Sequence, residues 1–179
     1  MIRLFAAIAV PDVAAQALAP LAAGVPGARW VPVANLHITL RFAGEVSESD
    51  AEDLDSALST VTVPPFEVEL GGVGSFGARG EVFALWAGVL ESETLSRLQR
   101  RCETAARRAG LKPDIRAWKP HVTLASVSGV GSSRVAAWTS AHNLLRVPPF
   151  RAEAFGLYSS WRTRKGSVYG LERSYPLRR

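Results

Sequence analysis

A chain of 179 residues with 47% hydrophobic content is sized and composed like an ordinary globular protein, with no low-complexity segment. Its single cysteine, Cys102, excludes an internal disulfide, and the apolar run Ile2 to Val10 is interrupted by Arg3 and far short of the ~20 residues a spanning helix needs, so a cytoplasmic location is expected. The net charge of +5 is uneven: residues 1–90 carry 4 Lys and Arg against 10 Asp and Glu, and residues 91–179 carry 17 against 6.

Arg3 to Ala9 reads as a buried strand, followed by a helix through Ala23 with Asp12 as its N-cap and Gly24 to Gly27 as its stop. A strand from His37 to about Phe42 stops at Gly44. Ser47 or Ser49 then caps a helix to about Ser59 with Leu54, Ala57, Leu58 and Val61 as its apolar stripe. Phe66, Val68 and Leu70 alternate with glutamates in a half-buried strand, and a glycine-rich stretch, Gly71 to Gly80, joins it to a strand at Glu81 to Val89. The second half repeats this order: a helix Ser92 to Ala109 holding Cys102 as a small buried thiol, a strand around His121, a helix Ser133 to Leu144, a strand Phe150 to Tyr158, a basic loop Trp161 to Lys165, and a strand Ser167 to Leu171. The expected class is α+β: a bilobal, pseudo-twofold duplicated fold, with two mostly antiparallel sheets lining a central cleft and helices outside. Residues 1–179 are expected to form one domain of two interleaved lobes.

The duplication is explicit in the residues. His37-Ile38-Thr39-Leu40 recurs as His121-Val122-Thr123-Leu124, and the same offset of 84 places Pro64-Pro65-Phe66 on Pro148-Pro149-Phe150, Gly72 on Gly156 and Ser75 on Ser159. Val82-Phe83-Ala84-Leu85 best matches Val168-Tyr169-Gly170-Leu171 two residues beyond that offset. On a strand, His37 and Thr39 share one face while Ile38 and Leu40 turn into the core, and the second copy behaves alike. A lone histidine on a strand is usually structural; the repeated pair with the same threonine partner points to two halves of one site.

Two imidazoles in one cleft supply an acid and a base near neutral pH. The threonine hydroxyls can donate to phosphate oxygens that gain charge in a transition state. By alternation Arg41 continues the face of His37 and Thr39 and adds a guanidinium suited to phosphate. No metal is expected, because no acidic residue occupies the matching strand positions and a zinc site takes at least three protein ligands. His142 falls in a helix and reads as structural. Trp30, Trp86, Trp118 and Trp138 read as core, whereas Phe76, Tyr158 and Trp161 are placed to stack on a base. The basic second half favours nucleic acid as partner, with a merely solvated basic helix, Arg97 to Arg108, as the alternative.

At these residues the chain resembles the 2H phosphoesterase superfamily, and within it the bacterial RNA 2′,3′-cyclic phosphodiesterases also called 2′-5′ RNA ligases. Arg3-Leu4-Phe5-Ala6-Ala7, Trp30-Val31-Pro32, Asn35 through Gly44, Gly74-Ser75-Phe76-Gly77, Lys119 through Leu124, Gly166-Ser167-Val168-Tyr169 and Tyr175-Pro176-Leu177 carry the likeness. The resemblance implies that His37 donates a proton, His121 accepts one, and Thr39 and Thr123 hold the phosphate. The implied reaction opens a 2′,3′-cyclic phosphate to a 2′-phosphomonoester without a cofactor. The implied partner is RNA with such an end, or a cyclic nucleotide, met by a monomer away from any membrane. Arg41, Lys119, Phe76, Tyr158, Trp161 and Arg162 are the expected substrate contacts. Relatives often carry arginine shortly after the second motif, where this chain has Ala125-Ser126, so phosphate anchoring is expected to fall to Arg41, Lys119 or the basic loop. Reversible 2′-5′ ligation and a non-catalytic RNA-end-binding module are the alternatives.

Overall fold

The first His-x-Thr stretch opens strand His37–Val46, the second opens strand His121–Ser126, and the two strands pair antiparallel at one position, Ile38 with Val122. Val122 is the image of Ile38 at the 84-residue offset, so a local twofold axis runs through this pair. The structure is a computed structural model that describes residues 1–164 and 166–179; Lys165, the last cation of the expected basic loop, lies outside them.

In chain order the strands are β1 (Ile2–Ala9), β2 (Arg29–Trp30), β3 (His37–Val46), β4 (Phe66–Ala78), β5 (Glu81–Val89), β6 (His121–Ser126), β7 (Arg146–Ala152), β8 (Ala154–Thr163) and β9 (Gly166–Pro176). The helices are α1 (Asp12–Leu18), α2 (Glu48–Ser59), α3 (Glu93–Arg108) and α4 (Ser132–His142). The fold is α+β, as expected. Where two sheets were expected, the strands of the described residues form one antiparallel sheet, β7-β4-β5-β6-β3-β1-β8-β9, with β2 added to β6. The order is symmetric about the β3–β6 joint, β4 answering to β8 and β5 to β1. The sequence match of residues 82–85 with 168–171 is therefore not a spatial equivalence: β5 lies beside β6, and β9 lies outside β8.

Several boundaries move for identifiable reasons. α1 ends at Leu18, well before Ala23, because Pro20 falls in the next turn, which tightens to a 3₁₀ helix at Ala19–Leu21; Pro11, not Asp12, occupies the N-cap position. Ser47 caps α2 through a capping box with Asp50. The glycine-rich stretch is strand, not loop, because its glycines give room to neighbours: a Cβ on Gly74 would lie 2.3 Å from the Trp86 ring. The strand expected at 150–158 is two strands split at Glu153, where the chain changes partner from β4 to β1 and β9. Trp161 to Thr163, expected as loop, prolong β8.

One continuous apolar core joins one face of the sheet to the helices; it includes Ile38, Leu40, Val122 and Leu124 from the paired strands, Leu54 and Leu58 of α2, Leu95, Leu98 and Cys102 of α3, and Trp138 of α4. Among the described residues no helix is long and apolar enough to cross a membrane. The opposite face curls inward. β9 lies three strands from β3, roughly 14 Å across a flat sheet, yet the Tyr169 and His37 rings have centroids 5.2 Å apart. Asn35 also donates to the Ser167 carbonyl at 3.2 Å. The result is a groove with the β3–β6 joint as its floor.

Candidate active site

Residues facing each other in a sheet share a face, so Ile38 opposite Val122 sets His37 opposite Thr123 and Thr39 opposite His121. All four project into the groove, on the side away from the core, and all are half-buried. Neighbouring strands extend these rows: Trp86 faces Thr123, Gly88 faces His121, and Ala7 faces Thr39. The small residues at Ala7 and Gly88 keep the floor low beneath the histidines.

The two imidazoles are held identically. Nδ1 of His37 donates to the Asn35 carbonyl at 2.7 Å, and Nδ1 of His121 donates to the Lys119 carbonyl at 2.7 Å. A carbonyl only accepts, so Nδ1 carries the hydrogen and the neutral ring keeps its free lone pair on Nε2. Both pKa values are held below the ordinary histidine range, chiefly by burial. The charge of His121 lowers His37 further, and the Lys119 ammonium lowers His121 further, while the carbonyl bonds oppose the shift.

Aromatic rings wall the groove. Phe5 lies 4.8 Å from the His37 ring and stacks on Tyr158 at 5.5 Å. Phe76 meets His121 edge-on at 4.7 Å, and Trp86 lies 6.4 Å from it. The Lys119 ammonium sits 4.5 Å over the Trp86 ring. Trp86 thus belongs to the groove wall, not the core as expected. Phe5 and Tyr169 were not singled out as site residues, although period-two alternation sets Phe5 opposite in facing to Leu4 and Ala6. Trp138 and Cys102 are buried, as expected, and burial pushes the Cys102 thiol far up. His142 packs on Trp138 at 5.4 Å.

Three expected substrate contacts lie elsewhere. Ala6 faces Arg41 and Ala7 faces Thr39, so Leu40 is an extra residue, a β-bulge that reverses the alternation. Arg41 consequently turns into the core side, 8% exposed, where its Nε faces the Glu103 carboxylate of α3 and its other nitrogens donate to the Phe42 and Lys112 carbonyls. The second copy has the same bulge at Leu124, which buries Ala125 and returns Ser126 to the groove face. Trp161 lies on the reverse side of the β8–β9 hairpin, packed over Gly170 beside Ser159, whereas Tyr158 faces the groove with Gly156 and Leu171. Arg162 is exposed at the far end of β8, lining a hollow of about 490 Å³ with Arg3, Glu45 and Ser160.

The same curled sheet with paired halves occurs in solved proteins. The LigT protein of E. coli, crystallised with 3′-AMP, superimposes with a TM-score of 0.81 at 24% identity, covering 99% of each chain. TT0787 of Thermus thermophilus gives a TM-score of 0.78 at 27% identity over 98% of each chain. The chain belongs to the 2′-5′ RNA ligase superfamily, whose model matches residues 10–164. A relative from Archaeoglobus fulgidus, an RNA 2′,3′-cyclic phosphodiesterase, is 32% identical over 170 residues, 93% of this chain and 96% of that one.

Proposed function

We propose that this chain, acting over residues 1–179 as one bilobal unit, hydrolyses RNA 2′,3′-cyclic phosphate ends to 2′-phosphomonoesters. The observation that carries the reading is the Ile38–Val122 pair, which sets two histidines and two threonines on one groove face with both Nε2 atoms free of backbone partners among the described residues. Water attacks phosphorus as the neutral His121 Nε2 takes its proton. The bond from phosphorus to the 3′ oxygen breaks, and the His37 imidazolium gives its Nε2 proton to that oxygen. Thr39 and Thr123 donate to the non-bridging oxygens as these gain charge. The Lys119 cation beside His121 favours the neutral ring a base requires. Among the described residues the charge that lowers His37 is its twin's, and His37 gains its proton as the phosphate anion enters. No step needs a metal.

The test offers a short RNA ending in 2′,3′-cyclic phosphate and identifies the product. A 2′-phosphate formed equally well in EDTA is expected; a 3′-phosphate, or no product, overturns the reading. The same pair working in the same direction, with a 5′-hydroxyl in place of water as the nucleophile and the 3′ oxygen again leaving, would join RNA ends in a 2′-5′ linkage, and the family's name favours keeping this second reading. Joined product from end-labelled RNA halves without ATP is its signature.

A further inference from the structure

With Arg41 turned into the core, neither His-x-Thr strand brings a guanidinium to the groove; of the strands beside them, β1 brings Arg3, which stands over the Phe42 ring at the Glu45 end, away from the histidines, and β2 brings another. β2 pairs with β6 through Arg29 opposite Ser126 and Trp30 opposite Ala125. Facing residues share a face, so the bulge at Leu124 decides where Arg29 points. Ala125 faces the buried Leu85 on the core side, and Trp30 opposite it packs on Trp138 of α4. Ser126 faces Ala84, two residues from Trp86, on the groove side. Arg29 therefore stands on the groove side. β2 occupies the flank of β6 beyond Thr123, past the start of β3 at His37, which puts Arg29 at the Thr123 and His37 end of the floor.

The row next to the catalytic pair thus reads Phe76, Ala84, Ser126, Arg29 across β4, β5, β6 and β2. The Phe76 ring leans out of this row onto His121, two small residues follow, and a cation closes the row. Arg29 is exposed, and its guanidinium makes no hydrogen bond or ion pair among the described residues. Lys119 supplies the opposite cation, at the His121 end. A planar guanidinium with five donors suits two oxygens of one phosphate, which a lysine cannot fork.

We infer that Arg29 is the phosphate-anchoring arginine of this site, gripping the non-bridging oxygens from the Thr123 side while the two imidazoles move protons. The inference rests on the cyclic phosphodiesterase reading for its substrate, but anion binding tests it separately. Inorganic phosphate, titrated calorimetrically, should bind Arg29→Gln roughly ten- to hundredfold more weakly than the parent protein. Arg134→Gln, the same charge lost on α4, should bind phosphate as the parent does. On an RNA 2′,3′-cyclic end, kcat/KM of Arg29→Gln should fall by a similar factor, and Arg29→Lys should recover only part of it.

The register supplies a sharper arm. Adding Ser126→Arg to Arg29→Gln returns a guanidinium to the same face from the facing strand, and should restore phosphate affinity and turnover together. A purely structural role for Arg29 would not be rescued that way. Unchanged phosphate affinity in Arg29→Gln, or no rescue by Ser126→Arg in a protein that melts like the parent, overturns the inference. Weakened phosphate binding in a chain whose parent opens no cyclic phosphate leaves the anion site standing and removes the activity.

Discussion

The histidine pair makes a definite statement about pH. Both rings have pKa values pulled below the ordinary 6.5, and the proposed mechanism needs one neutral and one charged. The bell of kcat/KM against pH should therefore centre on the acid side of 6.5. The kcat profile should lie at higher pH, because a bound phosphate anion raises both pKa values. His37→Ala and His121→Ala should each lower kcat by roughly 10²–10⁴. The same shifts act on stability. An unfolded chain takes up the histidine protons near pH 6.5 while the folded chain resists until lower pH. Stability is complete above 6.5 and is lost as pH falls through the folded values. Urea unfolding at pH 7.5 and pH 5 should show this loss, and it should shrink in either histidine variant. Arg41 makes the opposite kind of residue-scale statement. Paired with Glu103 under the sheet, it should act through stability: Arg41→Met should cost ~1–3 kcal/mol by leaving the half-buried Glu103 carboxylate without its cation. Arg41→Met combined with Glu103→Met should recover most of that. A raised KM with unchanged stability would return Arg41 to the substrate.

At the scale of elements, the informative feature is where alternation breaks. Period two read along the chain puts residues 37, 39 and 41 on one face, and it holds only to Thr39. The bulges at Leu40 and Leu124 arise in the pairing with β1 and β5, which no local pattern announces. The glycine-rich stretch misled for a related reason. Its glycines resemble loop, but Gly74 is small because the Trp86 ring, twelve residues on and across the hairpin, lies on it. Gly74→Ala should then cost ~1–3 kcal/mol as an overpacked site. It should also lower kcat, since Trp86 is displaced toward His121 and Lys119; thermal unfolding and turnover of one preparation check both. By contrast, the helix starts were legible to within two residues, Ser47 or Ser49 for α2 and Ser92 for α3, because a cap is settled within three residues. So was the facing of His37, Thr39, His121 and Thr123, which lie ahead of each bulge. Arg29 was not legible, because its strand is two residues long and gains meaning only from what it faces.

At the scale of the whole molecule, the duplicated halves meet in the sheet at one residue pair, and that pair fixes the distance between the imidazoles. The offset of 84 residues announced two halves but not that Ile38 and Val122 would lie on their common axis. The halves are held together by the shared core, which runs unbroken from α2 and α3 to α4; the joint itself contributes alignment. This separates two effects that core substitutions usually mix. Leu95 of α3 and Ile38 are both essentially fully buried, 1% and 0% exposed, and truncating either to alanine should cost ~2–5 kcal/mol. Leu95→Ala should leave kcat near the parent value at temperatures where the protein remains folded. Ile38→Ala should lower kcat under the same conditions, because β3 can shift against β6 and carry His37 and Thr39 away from His121 and Thr123. Equal kcat in the two variants at matched stability would mean that the groove walls, and not the joint, hold the histidines in register.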